Sequence, residues 1–173
     1  MNRKPKLLII GHGRHGKDTV CEILDEQYGY TFVSSSWFVA EHFAYEKFKD
    51  LYNYKNIEEC YLDRHGRRSE WFDLISDYCA EDPARLGRDI FKKHDIYCGL
   101  RNSREFHSIK IQKLYDFCIW VDRSKHLPLE PKTSMDLEPW MADCVIDNNG
   151  SLDDLTLRVK ELYEFRIKPF GEK

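Results

Sequence analysis

Short apolar runs alternate along the chain with longer stretches in which apolar residues recur every three or four positions. Lys6-Leu7-Leu8-Ile9-Ile10 is such a run, and it stops at Gly11. A continuous run of this length predicts a strand covered on both faces. From Lys17 to about Tyr28, Val20, Ile23 and Leu24 fall at helical spacing, and Gly29 closes the segment. Tyr30 to Val33 predicts a second strand. Ser34-Ser35-Ser36 then caps a helix from about Trp37 to Lys49. The stretch Asp50 to Gly66 is polar, tyrosine-rich and without a period, so it predicts a loop or insertion.

Trp71, Leu74, Ile75 and Tyr78 lie at i, i+3, i+4 and i+7, which predicts a helix capped by Ser69. Pro83 suits the first turn of another helix, ending near Lys93. Ile96 to Leu100 predicts the third strand, Ser103 to Leu114 a helix, and Phe117 to Val121 the fourth strand. Arg123 to Trp140 holds prolines and no period, so it predicts a loop with one helical turn. Cys144-Val145-Ile146 predicts the fifth strand. Asn148-Asn149-Gly150 is a turn, and Ser151 caps a last helix with Leu152, Leu155, Val159 and Leu162 as its stripe. Strands alternating with helices predict an α/β fold in three layers, with a five-stranded, mostly parallel sheet. Ligands of such sheets bind beyond the carboxyl ends of the strands, and the first such end is Gly11.

The residues at that end carry the chemistry. Gly11-His12-Gly13-Arg14-His15-Gly16-Lys17 matches G-x-x-x-x-G-K between a predicted strand and a predicted helix. Glycines allow turns closed to bulkier residues, so that successive N–H groups converge on a phosphate chain. The helix N-terminus adds positive partial charge. Lys17 is placed to reach the β and γ phosphates. His12 and His15 lack a third ligand at zinc spacing, so they line the loop. After Lys17 a magnesium-binding hydroxyl is usual, but Asp18 and then Thr19 stand here. Both are candidates for the magnesium shell, since hard cations take oxygen ligands; Asp18 has the alternative of orienting a water or the loop itself.

Composition bounds the rest. The 173 residues suit a single domain, with 34–93 as the candidate acceptor region and 123–142 as a lid-like loop. Hydrophobic residues make up 42% and aromatics 14%, which argues against disorder. No apolar run approaches membrane-spanning length, and no secretory leader is recognisable. The net charge of −3 disfavours a general nucleic-acid binder. Yet Met1 to Lys17 holds Arg3, Lys4, Lys6, Arg14 and Lys17 and no acidic residue. Cys21, Cys60, Cys79, Cys98, Cys118 and Cys144 form no C-x-x-C pair, so reduced thiols and a cytoplasmic location are expected.

The segment Gly11 to Thr19, ending Gly16-Lys17-Asp18-Thr19, resembles the phosphate loop of phage-type deoxynucleoside monophosphate kinases. Those are P-loop kinases related to the adenylate, thymidylate and dephospho-coenzyme A kinases. Arg67-Arg68-Ser69-Glu70-Trp71 and Ala84-Arg85-Leu86-Gly87-Arg88-Asp89 resemble the acceptor-binding helices of that group. Gly99-Leu100-Arg101-Asn102-Ser103-Arg104-Glu105 resembles its strand-end arginine and following helix. Ala142 to Ser151 resembles its last strand and base-contacting turn, with Asn148 and Gly150 in the turn. The resemblance implies a P-loop NTPase fold, ATP as donor, Mg2+, and a nucleotide acceptor.

Phosphoryl transfer also accounts for the arginines, because catalysis there is positioning plus charge stabilisation, and the guanidinium fork suits phosphate. Arg101, at a predicted strand end, is the candidate contact to the acceptor phosphate. Arg123, opening the proline-containing loop, is the candidate lid contact to the donor. Arg67, Arg68, Arg85 and Arg88 are candidate acceptor contacts, with Ser34, and with Trp37 and Trp71 as bases' stacking partners. Asp63 and Asp95 are candidates for an orienting carboxylate. The leading expectation is an ATP-dependent kinase of a deoxynucleoside monophosphate. The alternatives are a phage P-loop kinase acting on 5-hydroxymethyluridine in DNA, with DNA as partner, and a nucleotide-binding module without transfer activity. No Asn/Thr-Lys-x-Asp guanine motif occurs, which disfavours a GTPase switch.

Overall fold

In the computed structural model, which describes residues 3–171, β1 (Leu7–Ile10) is buried along its whole length. Its alternate residues serve two different cores. Leu8 and Ile10 join one apolar cluster, and Leu7 and Ile9 the other. The pleat sends successive side chains to opposite faces, so a run with no polar member needs a layer on each side. The same split recurs in β3 (Ile96–Cys98) and β4 (Phe117–Asp122): Tyr97, Cys118 and Trp120 face one way, and Ile96, Cys98, Phe117, Ile119 and Val121 the other.

With β2 (Phe32–Ser34) and β5 (Cys144–Asp147) the sheet has five strands in the order β2-β3-β1-β4-β5. Every neighbouring pair is parallel, with Leu7 opposite Ile96 and Phe117. One outer layer is α1 (Lys17–Tyr28) with α8 (Leu152–Leu162), which bury Val20, Leu24, Leu155 and Val159. The other is α2 (Ser35–Val39), α3 (Tyr45–Tyr52), α4 (Ile57–Asp63), α5 (Arg68–Tyr78), α6 (Arg85–Lys93) and α7 (Ser103–Ile111). A one-turn π-helix, Ala40–Ala44, joins α2 to α3, and a second, Tyr163–Ile167, joins α8 to α9 (Lys168–Gly171). Among the described residues no helix is long and apolar enough to cross a membrane, and all six cysteines are free.

The helix starts follow local chemistry. Ser34 Oγ accepts from the Trp37 N–H at 3.1 Å, and Ser151 forms a capping box with Asp154. Three details depart from the sequence reading. Ser69, expected as a cap, lies inside α5, whose N-cap position is Arg67. Asn102, not Ser103, caps α7, its Oδ1 accepting from the Glu105 N–H. The stretch Asp50 to Gly66, expected as a loop, finishes α3 and contains α4. Asn56 caps α4 through the Glu59 N–H at 2.9 Å. In α4 Cys60 is buried and Ile57 and Tyr61 pack on the core, but the helix is only seven residues long, so the stripe is short.

Candidate active site

The loop between β1 and α1 is held by its glycines. Gly11 has φ +142°, and a Cβ there would stand 2.5 Å from the Val121 carbonyl oxygen of β4. Gly16 has φ +95°, and a Cβ would meet Asn148 Nδ2. No other residue type fits either place. Asn148 is why Gly16 is so confined: its Nδ2 donates to the His15 carbonyl at 2.9 Å. Arg123 in turn donates through Nη1 to the Asn148 carbonyl at 2.7 Å. The last strand's turn and the end of β4 thus clamp the loop from behind.

His12 and His15 are buried and act as acceptors. The Arg123 N–H donates to His15 Nδ1 and the Glu130 N–H to His12 Nδ1, each at 3.0 Å. Burial above all, with Lys17 nearby, holds both imidazoles below the ordinary 6.5. Both are therefore neutral at pH 7, with the proton on Nε2. Because the folded values are depressed, this contribution to stability is complete above 6.5 and is lost as pH falls through the folded values. The melting midpoint is expected to drop between about pH 7.5 and about pH 5, and less so in His12→Asn/His15→Asn, where Oδ1 replaces each acceptor. Equal slopes in the two proteins would remove the histidines from this linkage.

Lys17 is buried at the start of α1, its Nζ donating to the His12 carbonyl at 2.6 Å. Burial lowers its pKa from 10.5. Its aliphatic chain passes Gly99 at the end of β3, where an added Cβ would lie 4.0 Å from Lys17 Cε. Gly99 is also in the wall of a cavity of about 640 Å³, formed by α5, the end of β3, the start of α7 and the segment Lys132–Asp136. Arg68, Arg101, Arg104 and Lys132 line it, with Phe72 and Ile75 as apolar wall. The glycine loop and this cavity therefore approach each other at Gly99, which lines the cavity and has the Lys17 side chain beside it.

A carboxylate that the sequence reading missed joins them. Glu130, in the segment after β4, accepts from the Gly13 N–H at 2.6 Å through Oε2 and from Arg101 Nη1 at 2.5 Å through Oε1. Burial alone would raise its pKa. Arg101, the Gly13 N–H and Lys17 outweigh this and hold it below 4.5. An anion thus already sits on the loop's backbone donors, so the residues present fit a phosphate chain. Nothing local marks Glu130 in the sequence; it lies in an aperiodic stretch far from both partners. The segment's later half is anchored, with Met135 and Leu137 buried in the core, while residues 124–126, 128–129 and 131–133 are exposed.

The remaining candidates divide. Arg14 is exposed at φ +62°, on the outside of the loop. Asp18 is exposed in a smaller cleft with Ser34 and Trp37, its Oδ1 accepting from Cys98 Sγ at 3.5 Å. Thr19 follows on the first turn of α1. These oxygens fit a hard cation, although no cluster of three or more histidine, cysteine or acidic residues suited to a metal occurs among the described residues. Gly150 is exposed before α8, crowded by Asp154. Arg68 and Arg101 reach the cavity. The structure places Arg67, Arg85 and Arg88 outside it. Arg67 pairs with Asp63 and Glu70 over the Tyr52 ring. Arg85 lies over Tyr78, and Arg88 pairs with Asp82 and Gln112. Trp71 is buried in the core, and Trp37 packs edge-on against Tyr61. Asp63 is spent on Tyr54 and Arg67, and Asp95 on Lys6 and Thr31 at the opposite end of the sheet.

No protein-family model matches the chain, and a search of curated proteins returns no match. Among solved structures, shikimate kinase from Bacteroides thetaiotaomicron aligns with a TM-score of 0.51 and 8% identity, over 92% of this chain and 97% of that one. TT1252 from Thermus thermophilus aligns at 0.48 and 16%, over 94% and 98%. A gluconokinase from Sinorhizobium meliloti 1021 aligns at 0.44 and 13%, over 94% and 96%. The first of these shows the fold: the chain has the three-layer α/β architecture of a P-loop kinase, with the sheet order 2-3-1-4-5.

Proposed function

We propose that the protein is a P-loop phosphotransferase that moves the γ-phosphoryl group of ATP to a deoxynucleoside monophosphate held in the cavity beside the loop. The observation that carries this reading is the approach of loop and cavity at Gly99. The Lys17 side chain passes Gly99, and Arg101 spans from the cavity to the carboxylate bound on Gly13. A donor on the loop and an acceptor in the cavity would meet between two cations, which is the main requirement of phosphoryl transfer. Arg68, Arg104 and Lys132 add positive charge for an anionic acceptor, and Phe72 and Ile75 give its ring an apolar wall. Asp18 and Thr19 would hold Mg2+, which neutralises charge on the phosphates when bound. The likeness in fold to a shikimate kinase supports the reaction class.

Incubation with labelled ATP and each deoxynucleoside monophosphate, beside DNA containing 5-hydroxymethyluridine, tests the reading. Labelled nucleoside diphosphate supports it. Transfer to the DNA alone would move the acceptor to the DNA base, and nucleotide binding without any product would make the chain a binding module.

Glu130 gives a further expected outcome. In the free protein its carboxylate holds a backbone donor that the phosphates need, so ATP or ADP must displace it. Glu130→Gln keeps the shape and removes the charge. The Kd for ADP is expected to fall about tenfold, or about 1.4 kcal/mol, within the range for a hydrogen bond to a charged group. Calorimetric titration reads it directly, and an unchanged or higher Kd would mean that Glu130 does not compete with nucleotide.

A further inference from the structure

The proposed acceptor cavity is lined by two carboxylates, Glu105 and Asp136, as well as by its basic residues, and Asp136 is held by the backbone N–H and hydroxyl of Ser103. Glu105 stands at the third position of α7, after the Asn102 cap. There a glutamate ordinarily turns back to the backbone of the cap residue. Here it does not. Its Oε1 accepts from the hydroxyl of Tyr97, a fully buried β3 residue, at 2.8 Å. Its Oε2 makes no hydrogen bond to the described residues, and the carboxyl group lines the cavity together with Ser76 and Cys79. A local rule is broken at this point and a polar group is kept under an apolar wall, which is the pattern of a group reserved for a ligand.

We propose that Glu105 is the specificity-determining residue of the acceptor site, accepting hydrogen bonds from the N–H groups of a guanine base whose phosphate lies toward Arg101 and Lys17. This rests on the nucleotide-acceptor reading and names which nucleotide. An ionised carboxylate only accepts, and Tyr97 occupies one of the lone-pair positions on Oε1. Guanine presents two adjacent donors, N1–H and N2–H, that match the two oxygens. Adenine and cytosine place a bare acceptor nitrogen beside their one amino donor, and thymine flanks its N3–H with carbonyl oxygens. Each of these sets a lone pair against the ionised carboxylate, the form that prevails above about pH 7. Burial pushes the Glu105 carboxyl up to about 7 in the free protein. Charge-assisted bonds from two donors favour the ionised form, so the group responds most to the ligand that supplies them. A site built to pair a substrate's N–H groups discriminates strongly, because a ligand lacking them leaves the buried acceptor unpaired.

Calorimetric titration of dGMP, dIMP, dAMP, dCMP and dTMP into the wild type, Glu105→Gln and Tyr97→Phe tests this, with ADP titrated into each as a control on the donor site. The wild type is expected to bind dGMP tightest and dIMP, which lacks the N2 amine, less tightly. Glu105→Gln is expected to weaken dGMP at least about tenfold, about 1.4 kcal/mol, and to leave ADP unchanged. Tyr97→Phe is expected to weaken dGMP by a smaller factor. If the monophosphates bind but dGMP is not preferred, or its affinity survives Glu105→Gln, the proposal is wrong and the nucleotide-acceptor reading stands. If ADP binds and no monophosphate does, the reading itself falls and the proposal with it. The wild-type order of affinities decides the question even where a variant fails to fold.

Discussion

Lys17→Ala is expected to lower the rate of phosphoryl transfer at least about a thousandfold, about 4 kcal/mol of transition-state stabilisation. The side chain runs from the loop past Gly99, a residue of the cavity wall, and its ammonium lies within the loop. It is buried, and burial already lowers its pKa, so its charge acts in a poorly solvated place where it is worth more than in water. Its partner in the free protein is a carbonyl, that of His12, not a carboxylate. No buried counter-ion is stranded when the charge goes, so the fold is expected to survive. Lys17→Met keeps the aliphatic packing and separates the two effects. It should melt close to the wild type and be as inactive as Lys17→Ala. Single-turnover transfer near the wild-type rate in either variant would remove Lys17 from the chemistry.

Gly11→Ala is expected to act through the fold. The added methyl would stand 2.5 Å from the Val121 carbonyl oxygen, at a backbone φ of +142°. The carbonyl belongs to β4, which is hydrogen-bonded into the sheet between β1 and β5, so it cannot move aside as a side-chain end can. Forcing an L-residue into such a conformation costs about 1–3 kcal/mol before the clash is counted. For a chain of this size each kcal/mol lowers the melting midpoint by about 2–4 °C, so a drop of at least roughly 5 °C is expected. The loop must shift to relieve the contact, and ADP binding should weaken sharply with it. A variant that melts and binds ADP like the wild type would show that the loop's path does not depend on Gly11.

The central strands were legible because burial on both faces leaves almost no polar residue in them. Leu7–Ile10 and Phe117–Val121 could be read as strands without any partner being known. The phosphate loop was legible for the same kind of reason: its conformation demands glycine at Gly11 and Gly16 whatever surrounds it. Helix α4 was missed because it is only seven residues long, too short for Ile57, Cys60 and Tyr61 to show a repeating period. Its start was written in Asn56-Ile57-Glu58-Glu59, where Asn56 caps through the Glu59 N–H. The arginines divided by what stood near them. Arg67 pairs with carboxylates four positions before and three after it, and Arg88 with Asp82 in the loop before its helix, whereas Arg68 and Arg101 line the cavity.

The sequence alone determined the order of strands and helices and the glycine loop after β1, because each follows from local periodicity or from a backbone conformation that one residue type permits. The tertiary structure decided what surrounds that loop. Glu130 reaches Gly13 across 117 positions of chain, Asn148 reaches His15 across 133, and Glu105 turns from its own helix cap to Tyr97. Such contacts are made by chain reversal through a packed sheet, and a carboxylate or an amide carries no mark in the sequence of the distant backbone it will meet.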